Sequence, residues 1–93
     1  MKRSKELDRL FQSFLQLHTL EECYAYFEDL CTIKELSDMA QRLEVATLLD
    51  QGLSYQRITD QVDVSTATIG RVSRCLNHGT GGYRETLKKL EEM

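Results

Sequence analysis

The chain has 93 residues, 41% of them hydrophobic and 29% charged, with a net charge of −3. That mix suits one small globular domain and excludes a disordered chain, a disulfide-stapled fold and a spanning helix of about 20 apolar residues. Proline is absent, and three of the five glycines crowd between positions 79 and 82, so an all-α fold is expected.

The first predicted helix covers residues 5–17, where Leu7, Leu10, Phe11, Phe14 and Leu15 form one apolar stripe. Thr19-Leu20-Glu21-Glu22 reads as a capping box and opens a second helix over 20–30. Its inward residues are expected to be Leu20, Cys23, Tyr24, Phe27, Leu30 and Cys31. A second box, Thr32-Ile33-Lys34-Glu35, opens a longer helix to residue 51, with Leu36, Met39, Ala40, Leu43, Ala46 and Leu49 on its buried face. Gly52 is placed to end that helix in the left-handed conformation. Ser54 caps a short helix over 55–62, Asp63-Val64 make a turn, and Ser65 caps a helix over 66–77. The glycine tract at 79–82 then breaks the chain, and a last helix over 83–92 carries Tyr83, Leu87 and Leu90.

Charge is divided along the chain. Residues 6–50 carry three Lys/Arg against ten Asp/Glu, whereas residues 51–90 carry six against three. Phosphate binding needs a local positive face rather than a positive total.

Residues 55–74 fit a helix-turn-helix template. Two short helices that cross near a right angle need apolar side chains at a few fixed places. Ile58 and Val62, then Val64, then Ile69 and Val72 supply all five as β-branched aliphatics. The start of the second helix is small and polar, with Ser65, Thr66, Ala67, Thr68 and Gly70, so it is able to settle deep in a major groove about 12 Å wide. Arg71 and Arg74 follow within reach of phosphates. Thr59 and Asp63 stand where many such motifs have alanine and glycine, and aspartate is expected to accept a left-handed turn. Any corner of two helices also has inward aliphatics, so a purely structural corner is the competing reading.

The segments Leu30–Leu36, Gln41–Gly52 and Ser54–Leu76 together resemble the Trp repressor family, and more closely its YerC/YecD group of bacterial proteins. The resemblance implies six helices in an intertwined dimer. Residues 5–51 would be the dimerisation helices, 54–78 the helix-turn-helix and 83–92 the C-terminal helix. Two reading heads about 34–36 Å apart would then face successive major grooves of a roughly palindromic operator. The resemblance also implies an effector pocket. Arg42 and Arg71 match the arginines that flank the ligand's ring, and Thr32 and Thr68 match its threonines. Two positions depart: Val72 replaces a glycine and Cys75 a serine. Valine adds bulk, and a thiol is a poor partner for an ammonium group. A small-molecule co-repressor other than tryptophan, or none, is therefore expected. The base-contacting positions fall at Thr66, Ala67 and Gly70, with Tyr55 and Gln56 at the start of the preceding helix.

Other chemistry finds little support. His18 and His78 lack triad partners, and Cys75 with His78 makes only two potential metal ligands, so a core cysteine beside an exposed histidine is expected. Gly79-Thr80-Gly81-Gly82 follows a helix and lacks the phosphate-loop pattern, and it is read as a flexible joint. The start Met1-Lys2-Arg3-Ser4-Lys5 is not followed by an apolar run, so no secretory signal is read there and reduced cysteines in a cytoplasm are expected.

The resulting expectation is a cytoplasmic, homodimeric transcriptional regulator, a repressor, that binds double-stranded DNA. Tyr55, Gln56, Arg57, Ser65, Thr66, Ala67, Thr68 and Gly70 would meet bases or backbone, and Arg71 and Arg74 phosphates. The alternative is a helical interaction module whose helix-turn-helix docks a protein, which suits the acidic front half. No enzymatic activity, cofactor, metal or membrane role is expected.

Overall fold

A computed structural model describes residues 1–93. It contains six helices and no strand: α1 (Lys5–Phe14), α2 (Leu20–Leu30), α3 (Ile33–Asp50), α4 (Tyr55–Gln61), α5 (Thr66–His78) and α6 (Gly82–Glu91). The chain divides into two compact units, residues 1–36 and 37–93.

Local hydrogen bonds set the helix starts. Five of the six are capped by a serine or threonine oxygen that accepts a backbone N–H two or three residues into the helix. Ser4, Thr19, Ser54 and Ser65 accept from Leu7, Glu22, Arg57 and Thr68 at 3.0–3.2 Å. At α3 the box closes in both directions, since the Thr32 hydroxyl accepts from the Glu35 N–H and the Glu35 carboxylate accepts from the Thr32 N–H. That N–H, and then the Thr32 hydroxyl, hold the Glu35 carboxyl below its ordinary pKa.

The end of α3 is equally defined. The Leu53 N–H donates to Leu48 and the Gly52 N–H to Leu49, with Gly52 at φ +89°. This crossed pair satisfies the last carbonyls and needs the left-handed residue that glycine supplies.

The first unit holds no buried side chain. On α1 and α2, Phe14, Tyr26 and Phe27 form a ring cluster with centroids 5.0–6.2 Å apart. The Ser13 hydroxyl donates to the Leu10 carbonyl and accepts from the Tyr26 hydroxyl. Helix α1 stops three residues before the predicted end, because the N–H groups of Gln16 and Leu17 turn back to Ser13 and Phe14 in tighter i→i−3 bonds. Leu20 and Tyr24, expected inward, are 74% and 77% exposed.

The second unit contains the core. Val45, Ala46 and Leu48 of α3, Ile58 of α4, Ile69, Val72 and Leu76 of α5, and Leu87 of α6 are buried together. Leu49, Leu53, Val62, Val64 and Tyr83 close around them. The buried stripe of α3 is rotated from the expected one: Met39, Ala40 and Leu43 are exposed, and Val45 and Leu48 lie inside. Two polar ties reach α5 and the corner before it. The Gln41 side chain donates to the Asp63 carbonyl at 2.7 Å. Arg84 of α6 donates to Asp50 at 2.7 Å and to Asn77 of α5 at 2.8 Å.

The corner between α4 and α5 is extended. Val62 has φ −127° and ψ 133°, Ser65 has φ −77° and ψ 153°, and no residue other than glycine has a positive φ. Asp63 therefore does not adopt the left-handed turn expected of it, because extended Val62 and the extended N-cap Ser65 turn the chain without one. After α5, a Cβ at position 79 would collide with the Cys75 carbonyl, so Gly79 is required for the chain to leave the helix there.

Candidate nucleic-acid interface

The helix-turn-helix is built from its underside upward. Ile58, Ile69 and Val72 are at most 1% exposed, and Val62 and Val64 are half-buried. All five β-branched positions thus hold α4 against α5, as the template demands. Full burial of Ile58, Ile69 and Val72 stabilises the fold by about 1.5–3 kcal/mol each, and the half-buried Val62 and Val64 contribute less.

The upper surface is polar and open. Gln56, Arg57, Ser65, Thr66, Ala67, Arg71 and Arg74 are exposed, Tyr55 is 41% exposed, and Thr68 and Gly70 are half-buried. Thr66 and Ala67 form the outer first turn of α5, with Gly70 one turn on. The polar side chains are not equally available. Ser65 accepts from the Thr68 N–H and donates to the Thr68 hydroxyl at 3.1 Å, so its hydrogen is engaged within the cap. Thr59 donates to the Gln56 carbonyl at 2.9 Å. By contrast, Arg57, Arg71 and Arg74 form no ion pair within the chain, whereas Arg84 is held by Asp50. The helix-turn-helix thus carries three guanidinium groups with no ion-pair partner, Arg57 on α4 and Arg71 and Arg74 on α5, in an otherwise acidic protein.

Beside that face lies an open pocket of about 280 Å³, lined by Arg42, Arg71, Val72, Cys75 and Tyr83. Four residues expected there, Arg42, Arg71, Val72 and Cys75, come together in it. Val72 packs downward into the core and leaves the pocket open. Thr32 is engaged as the α3 N-cap, and Thr68 pairs with Ser65 instead of lining the pocket. Cys75 is exposed, not the core residue expected, because Val72 and Leu76 take the inward positions of that turn of α5. Tyr83 was not anticipated as a lining residue. The glycine tract swings α6 back over α5 and delivers it, a long-range effect that local spacing does not encode. No three His, Cys, Asp or Glu side chains gather as metal ligands, and no helix is long and apolar enough to cross a membrane.

Comparison with known proteins places this arrangement. The family model of the Trp repressor protein matches residues 5–91. The chain belongs to the Trp repressor family. It is 53% identical over 90 residues to the uncharacterised protein YerC of Bacillus subtilis (strain 168), covering 97% of this chain and 86% of that one. A TrpR-like protein from Eubacterium eligens ATCC 27750 superposes with a TM-score of 0.92 at 42% identity, over 96% of this chain and 92% of the other. A candidate Trp repressor from Staphylococcus aureus gives 0.91 at 43% identity, over 96% and 89%. The six-helix Trp-repressor-like fold expected from the sequence is therefore the fold of this chain, and the family is one of DNA-binding regulators.

Proposed function

We propose that this protein is a homodimeric transcriptional repressor of the cytoplasm that reads a roughly palindromic operator by laying α5 in the major groove. One observation carries the reading. The helix-turn-helix combines a small-residue start of α5 with three guanidinium groups, those of Arg57, Arg71 and Arg74, that have no ion-pair partner in the chain. Thr66, Ala67 and Gly70 let the helix approach base edges, with Tyr55, Gln56 and Arg57 beside them and Ser65 and Thr68 setting the helix start. Arg71 and Arg74 hold phosphates. Phosphate contacts position such a head and base contacts specify its site.

The dimer is supported by the first unit. Helices α1 and α2 contain no buried residue in the single chain, yet both carry apolar stripes. A second copy would cover them. The pocket between Arg42 and Arg71 suits a small anionic effector, because two guanidinium groups border it. Cys75 makes tryptophan a poor fit, because a thiol is a poor partner for its ammonium group.

Selection of genomic fragments by the purified protein near physiological salt, about 0.15 M, tests the proposal. Recovery of a shared, roughly palindromic sequence is expected, and tryptophan should not change it. Recovery of background alone at low salt, with a protein captured in a salt-insensitive manner, would instead favour the reading in which the helix-turn-helix docks a protein.

A further inference from the structure

We infer that Tyr55 and Gly70 form one base-reading element, in which the Tyr55 hydroxyl stands in for the side chain that residue 70 lacks. The inference rests on the DNA-binding reading above and names a specificity-determining residue within it.

Gly70 lies inside α5 on the same face as Thr66 and Ala67, four and three residues earlier. Nothing within the chain demands a glycine there. Its φ is not positive. A Cβ built on it would meet nothing closer than the Tyr55 hydroxyl oxygen at 4.0 Å, an ordinary contact. Glycine inside a helix is less stable than alanine, and no internal contact compensates for it. The bare backbone therefore serves something outside the chain, a surface that must approach α5 closely.

Tyr55 is the first residue of α4, and its ring reaches across to this spot. Its hydroxyl makes no hydrogen bond within the protein, unlike that of Tyr26, which pairs with Ser13 at 2.7 Å. An unpaired phenol thus stands at the edge of a bare stretch of the reading helix. It is able to donate and accept, which suits the mixed donor and acceptor edges of the major groove. The trough at Gly70 admits the base pair, and the Tyr55 hydroxyl bonds its edge.

The test measures wild type, Tyr55→Phe and Gly70→Ala against the selected operator and every single-pair variant of one half-site, with salt dependence and thermal melting. Tyr55→Phe keeps the ring and is expected to reduce discrimination at one position per half-site by about 3–10-fold, with the salt slope unchanged. Gly70→Ala is expected to raise Tm by about 4–8 °C while weakening operator binding at least tenfold. A Tyr55→Phe protein with unaltered preference at every position would overturn the inference. So would a uniform loss with a reduced salt slope, which marks a phosphate contact. A lower Tm for Gly70→Ala, or unchanged affinity, would show that the glycine serves another purpose. A wild-type protein that selects no sequence would refute the DNA-binding reading itself, and this inference with it.

Discussion

Replacing Leu20 and Tyr24 together by glutamate should separate the proposed dimer into single chains. Leu15, Leu20, Tyr24 and Ile33 are 74–84% exposed in the lone chain. Fully burying such a side chain is worth about 1.5–3 kcal/mol. Roughly three quarters of that is unrealised at each, or about 4–9 kcal/mol over the four. Counted on both members of a symmetric pair, the gross gain is about 9–18 kcal/mol, set against an association cost of about 4–15 kcal/mol. Leu20 and Tyr24 carry about half of that gain. Their loss, with carboxylates placed in the seam, is expected to raise the dimer Kd by at least about 10³-fold. Sedimentation equilibrium reads this directly, alongside the concentration dependence of Tm. Operator affinity should fall with it by about 10²–10⁴-fold, because two linked heads become two separate ones. A wild-type chain that stays monomeric at high concentration, or a double variant that still dimerises, would refute the assignment of this face to a second copy.

Three further outcomes are expected. Ile69 is fully buried, so Ile69→Ala should lower unfolding stability by about 2–5 kcal/mol and Ile69→Val by about 0.5–1.5 kcal/mol, read by urea denaturation. Arg71→Ala and Arg74→Ala should each weaken binding to all sequences alike and reduce the salt slope by about one, measured as operator affinity against salt concentration. The Glu35 carboxyl lies below its ordinary value in the folded chain. Its contribution to the start of α3 is therefore present above the ordinary glutamate range and is lost as pH falls through the lowered folded value. The Thr32 amide resonance should report that loss, and Glu35→Gln should remove the titration.

The helix starts were legible because each is a local device. Thr19 with Glu22 and Thr32 with Glu35 need only four consecutive residues to declare themselves, and the structure contains both boxes. The five β-branched residues of the corner were legible for a related reason, since two short crossing helices leave few places for an apolar side chain. The buried side of α3 was less so. Periodicity finds an apolar stripe, but Met39 and Leu43 share the helix with Val45 and Leu48, and only the packing of α4, α5 and α6 decides which are covered. Tyr83 at the pocket, and Arg84 reaching Asp50 across 34 positions, depend on where the glycine tract sends α6. Cys75 escaped for the converse reason, as its neighbours Val72 and Leu76 already fill the core side of α5.

At position 63 the corner between α4 and α5 is held through a main-chain atom. Val62 and Ser65 on either side are extended, Asp63 has no positive φ, and the anchoring bond from Gln41 ends on the carbonyl of Asp63 rather than on its carboxylate. Any residue has that carbonyl, and position 63 demands no left-handed conformation. Position 63 is thus free to drift during descent while the angle between the two helices stays fixed. Homologues with glycine, aspartate or another residue there can share one corner, and a search pattern that insists on glycine at the turn would pass over chains built in this way.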